Sequence, residues 1–352
     1  MSETERDRSP LARSEARTSD PGAREPRGET TSSITLLGPQ HAQPSIGRVL
    51  RELRIRGPVA VVTAGWQERE ADPGVLTELG MPSVNLTLHA RGDEVFARDV
   101  EFAAAYKARQ SRLKMMQDFY RVRLDHAAMA AHAIGVRHVD PALLADEQAI
   151  SIEIVRRLDE DHLERCRAHH EAFSRRWSTT ERERVADHRR ELAALIEPTD
   201  ALIIAGGHVA VLLNRLMMFD VLGLTGDRPI IAWSAGAMVL TERVVLFHDH
   251  PPYGPPIAEV LDTALGVARG IVALPEPRLR LRLDDLDRVA MLARRFAPAA
   301  CVAMDHGARI TLANGVIAGG ANLLRLVPDG TIDRDWPART EQEQDALGRS
   351  WP

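Results

Sequence analysis

The most distinctive candidate for chemistry in this chain is a serine that follows an apolar run. Residues 230–233 read Ile-Ile-Ala-Trp, Ser234 comes next, and the small residues Ala235, Gly236 and Ala237 follow it. An apolar strand that turns sharply through small residues into a helix is the arrangement that exposes a nucleophilic serine in hydrolases. The helix that begins there also favours developing negative charge. The competing interpretation is that Ser234 only caps a helix of small residues.

Paired glycines form a second candidate element. Gly206 and Gly207 end another apolar run, one strand–helix unit before Ser234, and His208 follows them. Paired glycines at the end of a strand leave backbone N–H groups able to face a ligand oxygen, as an oxyanion hole requires. Gly206, Gly207 and the N–H of Ala235 are therefore candidate oxyanion or substrate contacts, although a lone Gly-Gly is also compatible with an ordinary tight turn.

Alternating strand and helix patterns surround these residues. Apolar runs typical of buried parallel strands begin at four positions: Ile34, Val59, Ala201 and Ile230. Helical spacing separates them, and such alternation predicts an α/β fold around a doubly wound, mostly parallel sheet. In open sheets of this kind ligands bind beyond the carboxyl ends of the strands. We therefore expect the glycine pair and the serine to face one crevice.

The composition divides the chain into segments. Residues 1–33 are rich in Arg, Glu, Ser, Thr and Pro, which predicts a disordered tail. Residues 34–95 and 196–335 are expected to form the α/β domain. Residues 96–195 are dense in Ala, Leu, Arg and Glu with almost no Gly or Pro, which predicts a large helical insertion. Residues 336–352 are expected to be a C-terminal tail.

The net charge limits the classes of partner that we expect, and the cysteine content indicates the cellular compartment. The formal net charge is -5, and no basic stripe alternates with aromatic residues, so we expect no nucleic-acid partner. The two cysteines, Cys166 and Cys301, lack metal-ligand spacing, which favours two buried thiols in a reducing cytoplasm over a disulfide or a metal site. No apolar run is long enough to indicate a membrane span. No pattern points to a cofactor.

Together these features resemble the α-aspartyl dipeptidase and cyanophycinase family of serine peptidases, which share the flavodoxin-like fold of class I glutamine amidotransferases. The resemblance covers about residues 34–88 and 200–326. It is carried by the opening strand that ends at Gly38, the Gly206-Gly207 turn, the 233–237 motif, and the Asp305 turn before a final hairpin with Gly319-Gly320. It implies that Ser234 is the nucleophile, that Gly207 contributes to the oxyanion hole, and that Asp249 is the acid. It also implies a small peptide or amide substrate and a possible homodimer.

The chain departs from the family where the base should lie. Glu276 occupies the position of the family's histidine, His208 replaces the Asn or Asp after the paired glycines, and the Gly-rich turn of the first strand has become residues 38–41, Gly-Pro-Gln-His. A serine hydroxyl needs a positioned base to become nucleophilic near neutral pH. Glu276, which lies between two prolines, could also be a carboxylate at the start of a helix beside Arg278.

Three interpretations of the site follow. In the first, Ser234, Glu276 and Asp249 form a serine–carboxylate triad, in which two close carboxylates would raise one pKa. In the second, another histidine supplies the base; the candidates are His208, His248, His250 and His306. In the third, the site is a catalytically dead remnant that binds a ligand or a protein.

We prefer a serine hydrolase, a peptidase or amidase that acts on a small amide through an acyl-enzyme, with a non-catalytic homologue as the alternative. An α/β-hydrolase is disfavoured because its elbow usually begins with Gly where this chain has Ala232, and because its acid lies further along the chain than Asp249. Glutamine amidotransferase activity is disfavoured because its elbow carries Cys instead of Ser.

Overall fold

The computed structural model describes residues 33–74, 79–248 and 257–337. The strands are β1 (Ser33–Leu37), β2 (Val59–Val62), β3 (Ser83–Asn85), β4 (Ala201–Ile204), β5 (Ile230–Trp233), β6 (Arg243–Leu246), β7 (Glu259–Thr263), β8 (Ile271–Pro275), β9 (Ala300–Met304), β10 (Arg309–Ala313), β11 (Val316–Ala321), β12 (Leu324–Leu326) and β13 (Ile332–Asp333). The helices are α1 (Ile46–Glu52), α2 (Leu88–Arg98), α3 (Val100–Gly135), α4 (Pro141–Trp177), α5 (Glu183–Ile196), α6 (Val209–Phe219), α7 (Val221–Thr225), α8 (Ala235–Leu240), α9 (Pro277–Arg280) and α10 (Leu286–Phe296). Short 3₁₀ turns lie at Ala64–Arg69 and Thr179–Glu181.

The central sheet has seven strands in the order β11-β10-β1-β5-β4-β2-β3. Strands β1, β5, β4, β2 and β3 run parallel, and the hairpin β10–β11 adds an antiparallel edge beside β1. The predicted α/β architecture with a mainly parallel sheet is therefore confirmed. The antiparallel edge is the final hairpin expected from the sequence.

Apolar side chains bury both faces of this sheet. In β4, Leu202 and Ile204 face one core, whereas Ala201 and Ile203 face the other. Successive strand residues point to opposite faces, so a strand covered on both sides reads as a continuous apolar run. Helix α1 covers the smaller core with Ile46, and the remaining helices lie mainly over the larger one.

A second sheet of four strands, in the order β13-β12-β9-β8, lies apart from the central sheet. Its strands β8 and β9 are parallel. Strands β6 and β7 form a separate antiparallel pair. Strand–helix alternation in the sequence does not reveal this division, because it reports which segments are strands and not which strands pair.

Residues 88–196 are helical apart from short turns, and α2 begins at Leu88, before the predicted boundary at residue 96. The long helices α3 and α4 form an antiparallel pair, here called the helical hairpin. Asp140 starts α4: its carboxylate accepts hydrogen bonds from Ala142 N and Leu143 N, and Pro141 occupies the first turn. Among the described residues no helix is both long and apolar enough to cross a membrane.

A buried charged cluster joins the helical hairpin to the body of the protein. Tyr120 of α3 donates to Asp159 of α4 at 2.7 Å, and Arg295 of α10 binds both oxygens of Asp159 at 2.7 Å. The side chains of Arg295 and Asp159 are only 4% and 2% exposed. Tyr120 also accepts a hydrogen bond from Val260 N of β7. The hairpin is therefore tied to β7 and α10.

Candidate active site

Ser234 lies in a strained turn between β5 and α8. Its backbone has φ 51° and ψ -121°, a region that non-glycine residues rarely adopt and that costs about 1–3 kcal/mol. Its N–H donates to Leu37 O of β1 at 3.3 Å. Although Ser234 is the N-cap residue of α8, its side chain forms no capping hydrogen bond. The Ser234 hydroxyl therefore does not cap α8, contrary to the competing interpretation from the sequence.

Small residues around Ser234 allow the backbones to approach closely. A Cβ atom on Gly236 would collide with the carbonyl oxygen of Ile204, and one on Gly206 would lie 2.9 Å from Cβ of Ser234. Real Cβ atoms do not approach so closely, so side chains at these positions would push α8 away from β4. The turn after β4 and the turn after β5 are therefore in direct contact.

Gly207 brings a second pair of turns together. Its φ of +113° is in the region that favours glycine, and an added Cβ would collide with the carbonyl of Gly65, which follows β2. His208 N donates to the same carbonyl at 2.7 Å. Within the described part of the chain, the backbone N–H groups of Gly207 and Ala235 donate to no protein acceptor. They belong to two of the three residues, with Gly206 as the third, that the sequence suggested as oxyanion or substrate contacts.

A cleft of about 650 Å³ opens beside these turns. Ser234, Ala235 and the Gly206-Gly207 turn all line it. The rest of its lining comes from the loop after β1, the turn after β2, the end of β5, helices α6, α8 and α9, strands β6 and β7 with the residues beside them, and the end of β8: Gln40, His41, Trp66, Val209, Trp233, Met238, Val245, Leu246, Phe247, His248, Ile257, Glu259, Pro275, Glu276 and Arg280. The structure thus brings the serine and the glycine pair to one crevice at the carboxyl ends of their strands.

Glu276 lines the same cleft but is paired with a neighbour. Its carboxylate accepts hydrogen bonds from Arg280 at 3.0 and 3.2 Å, and its side chain is 24% exposed. It does not cap α9, although it is the N-cap residue and has a left-handed φ of 57°. Arg278, which follows it in sequence, pairs with Asp305 instead. Among the described residues no hydrogen bond joins Glu276 to Ser234.

The histidines suggested as bases occupy different environments. His208 is exposed, and its Nδ1 accepts a hydrogen bond from Val211 N at 3.4 Å, so its ring caps α6 and lies outside the cleft lining. His306 Nδ1 donates to Pro39 O at 3.2 Å. His248 lines the cleft. Asp249 and His250 lie outside the described residues, so the structure does not bear on their proposed roles.

His41 is a cleft residue that sequence reasoning did not single out. It lines the cleft and meets the ring of His306 edge to face, with 4.9 Å between ring centroids. It belongs to residues 38–41, the turn that follows β1. Because β1 lies directly beside β5, this turn is brought close to Ser234.

The helical hairpin reaches the wall of the cleft through Glu259. Arg121 of α3 holds both carboxylate oxygens of Glu259 at 2.9 Å, and Gln117 donates to it at 3.1 Å. The hydrogen bonds that Arg121 donates to Glu259 raise the pKa of Arg121. No sequence motif marks Glu259, because an acidic residue at the start of a short strand is common.

The thiols do not belong to the site. Burial raises the pKa of Cys166 and of Cys301 to about 12, so neither is a thiolate near neutral pH. In the described ranges no group of three His, Cys, Asp or Glu side chains has an arrangement that could hold a metal ion.

Comparison with known proteins gives little beyond this geometry. No protein-family model and no curated protein matches the chain. Among solved structures, the chain is similar to the crystal structure of a peptidase from an acI-B1 Actinobacterium, with 11% sequence identity over 85% of this chain and 91% of that chain, and a TM-score of 0.39. A likeness this distant says nothing about the activity of this chain.

Proposed function

We propose that the cleft is the active site of a serine hydrolase, a peptidase or amidase that cleaves a small amide through an acyl-enzyme on Ser234. One observation carries this proposal: Ser234 has φ 51° and ψ -121° at a strand–helix turn, and its hydroxyl is not used to cap the helix. Strain of this kind persists only where the surroundings enforce it, and it concentrates at functional sites. The cleft volume of about 650 Å³ lies in the range of small-molecule sites.

In the proposed reaction, Ser234 Oγ attacks the carbonyl carbon of the amide while a base takes the hydroxyl proton. The N–H groups of Gly207 and Ala235 donate to the oxygen that gains negative charge. Collapse of this intermediate breaks the C–N bond, and the leaving amine takes the proton from the base. Water then attacks the ester with help from the same base, which releases the acid and restores the serine.

We propose that Glu276 is the base. The described histidines that line the same cleft, His41 and His248, are the alternative bases. For Glu276 to act, its carboxylate must turn from Arg280 toward Ser234, since two hydrogen bonds from Arg280 hold it. Catalytic hydrogen bonds often become aligned only when substrate binds. Asp249 remains a proposed supporting acid.

The strand order supports the flavodoxin-like component of the proposal. Strands β3-β2-β4-β5 follow one another across the sheet as the first four strands do in the flavodoxin order 2-1-3-4-5, and β1 takes the fifth place. We propose on this basis, and on the motifs at Gly206 and Ser234, that the chain is a divergent relative of the α-aspartyl dipeptidases and cyanophycinases.

A non-catalytic binding protein is the second candidate. The observation that favours it is the pairing of Glu276 with Arg280, which leaves Ser234 without a bonded base among the described residues. In this case the cleft would bind a small peptide or amide without cleaving it.

Hydrolysis of a panel of dipeptides and small amides distinguishes the two candidates. We expect the rate to fall at least about 10³-fold in Ser234→Ala and about 10²-fold or more in Glu276→Gln, because they remove the nucleophile and the base. Glu276→His should restore activity near neutral pH, where imidazole titrates. Ser174→Ala, an exposed serine on α4, is the matched control. Calorimetric binding of panel members without turnover above the Ser234→Ala background would contradict the hydrolase and favour the binding protein.

A further inference from the structure

Trp66 lies on the turn that follows β2, and it lines the cleft. Its ring is partly buried and packs against the smaller core. Among the described residues no acceptor bonds its indole N–H, and this nitrogen is not one of the enclosed polar atoms that lack a partner. The N–H is therefore open to solvent. Because a partly buried tryptophan usually finds an acceptor for its N–H, a ligand in the cleft is a natural partner for it.

The indole meets the Gly206-Gly207 turn through the edge that carries this N–H. A Cβ atom added to Gly207 would lie 2.9 Å from Trp66 Cδ1. Cδ1 is the carbon bonded to Nε1, so the five-membered ring lies against Gly207. The nearest atoms around the glycine pair include none from the ring of Trp233, the other tryptophan of the cleft, which is only 5% exposed. Two donors without acceptors among the described residues, the N–H groups of Gly207 and Trp66, therefore lie close together at the cleft.

Backbone contacts fix the turn that carries Trp66. Trp66 N donates to Thr63 O at 2.8 Å, and His208 N donates to Gly65 O at 2.7 Å. A Cβ atom added to Gly65 would lie 2.6 Å from Gly206 O, closer than real Cβ atoms come. The turn after β2 is therefore in contact with the glycine pair on both sides of Trp66's own backbone bond.

Gln67, the residue after Trp66, is strained in the same way as Ser234. Its φ of 58° and ψ of -122° nearly repeat the 51° and -121° of Ser234. A buried residue holds it there: Glu70 is 4% exposed, its N–H donates to Gln67 O at 2.8 Å, and its carbonyl oxygen accepts from Asn85 Nδ2 at 2.7 Å. Strain that the surroundings enforce is typical of functional sites. The neighbouring indole is thus held in place before a ligand binds.

We propose that the indole N–H of Trp66 is a third oxyanion donor, beside the N–H groups of Gly207 and Ala235. This inference rests on the proposed serine hydrolase. As Ser234 Oγ forms its bond to the carbonyl carbon, an electron pair of the C=O bond moves to the oxygen, and that oxygen accepts from all three N–H groups. No proton leaves Trp66, and the C=O bond re-forms when the C–N bond breaks. Preorganised donors of this kind act most strongly on the charge that develops in the transition state.

Steady-state kinetics of Trp66→Phe test the inference, because phenylalanine keeps an aromatic ring and removes the N–H. On the dipeptides and amides that wild type cleaves, we expect kcat to fall about 10²-fold and KM to change less than about threefold, as for loss of one oxyanion donor. Trp336→Phe removes an indole N–H outside the cleft lining and should keep the wild-type kcat.

The outcomes separate this inference from the proposed function. A wild-type kcat in Trp66→Phe overturns the third donor and leaves the serine hydrolase intact. A change confined to KM does the same, because it would make Trp66 only a wall of the cleft. A wild type that cleaves no member of the panel is the failure of the proposed function itself, and the third donor falls with it.

A second replacement separates the N–H from the shape of the ring. Benzothienylalanine at position 66 keeps the bicyclic ring and carries sulfur in place of N–H, so it packs like tryptophan even if Trp66→Phe does not fold. We expect it to lose as much kcat as Trp66→Phe. A kcat close to that of wild type would overturn the inference, since the ring and not the N–H would then matter.

A peptide aldehyde tests the same hydrogen bond without turnover. Ser234 Oγ adds to the aldehyde carbon, the hydroxyl proton passes to the base, and the former carbonyl oxygen takes the position of the oxyanion. We expect the inhibition constant to rise at least about tenfold in Trp66→Phe. Binding of an uncleaved dipeptide to Ser234→Ala should be unchanged when Trp66→Phe is added. Equal inhibition of folded wild type and Trp66→Phe by the aldehyde would overturn the third donor.

Discussion

At the residue scale, the conformation of Ser234 depends on neighbours that lack side chains. Gly206 and Gly236 let the turns after β4 and β5 touch, and Gly207 lets the turn after β4 touch that after β2. The proposed nucleophile and the proposed oxyanion donors are therefore positioned by backbone contacts. Substitution of one glycine should disturb the site without direct loss of a functional group.

Gly207→Ala tests this dependence. Alanine at φ +113° would be strained, and its Cβ would meet the Gly65 carbonyl and lie 2.9 Å from Trp66 Cδ1. We expect the unfolding free energy, measured in urea, to fall by at least about 2 kcal/mol, and hydrolysis to fall with it. Gly266→Ala is the matched control, because Gly266 also has a positive φ of +68° but nothing within 4 Å of an added Cβ. Equal losses in the two variants would contradict a role for close backbone contact.

The sequence predicts the serine turn and the glycine pair because each is a local pattern of residue types. It does not predict that Glu276 bonds to Arg280, since a carboxylate at that position can turn to a helix N-terminus, an arginine or a serine, and only packing decides. His41 was missed for a different reason. Its nearness to Ser234 depends on β1 lying beside β5, although nearly two hundred residues separate them in sequence.

At the element scale, the helical hairpin is held by a buried charge pair. Asp159→Ala would leave Arg295 buried without its carboxylate, and we expect a loss of about 3–5 kcal/mol in the free energy of unfolding. Glu153→Ala is the control on the same helix, because Glu153 pairs with Arg157 on the surface and such a pair contributes at most about 1 kcal/mol. Similar losses in both variants, measured by urea unfolding, would show that burial of the pair is unimportant.

His162 should make the stability of the hairpin depend on pH. Its ring stacks on Tyr120 with 4.3 Å between centroids, and burial lowers its pKa, although a bond to Leu261 O opposes the shift. The unfolded chain then binds the proton at a higher pH than the folded chain. Stability is therefore complete above the ordinary histidine pKa of about 6.5 and falls as the pH drops below it.

His162→Gln should flatten this part of the profile. The measurement is the free energy of unfolding of wild type and variant between pH 7.5 and pH 5, about the range in which histidine titrates. The difference between the two proteins should shrink as the pH falls. A difference that stays constant with pH would contradict neutral burial of His162.

At the scale of the whole molecule, the cleft lies where three sheets meet. Ser234 comes from the central sheet, Glu276 from the end of β8 in the second sheet, and Glu259 from the two-stranded pair. The sequence predicts the parallel strands of the central sheet because each is a continuous apolar run. It does not predict the separate second sheet, because the pairing of distant strands depends on packing of the whole chain.

The difference between local sequence patterns and contacts of distant residues also explains why the sequence predicts only part of the site. Residues of one strand–turn–helix unit, such as Ser234 and Ala235, carry their own local signal. Glu259 is held at the cleft by hydrogen bonds from Arg121 of the hairpin, which lies 138 residues away in the chain. A contact of that kind leaves no pattern in either segment alone.

The central claim, that Ser234 is a nucleophile, is tested most directly by covalent labelling with a fluorophosphonate. Intact-mass measurement and peptide mapping should show one added phosphonyl group, located on Ser234, and none on Ser234→Ala. Labelling should slow in Glu276→Gln, because the probe reacts with a serine that a base activates. A folded wild-type protein that remains unlabelled at Ser234, or that is labelled elsewhere to the same extent in Ser234→Ala, would contradict the claim.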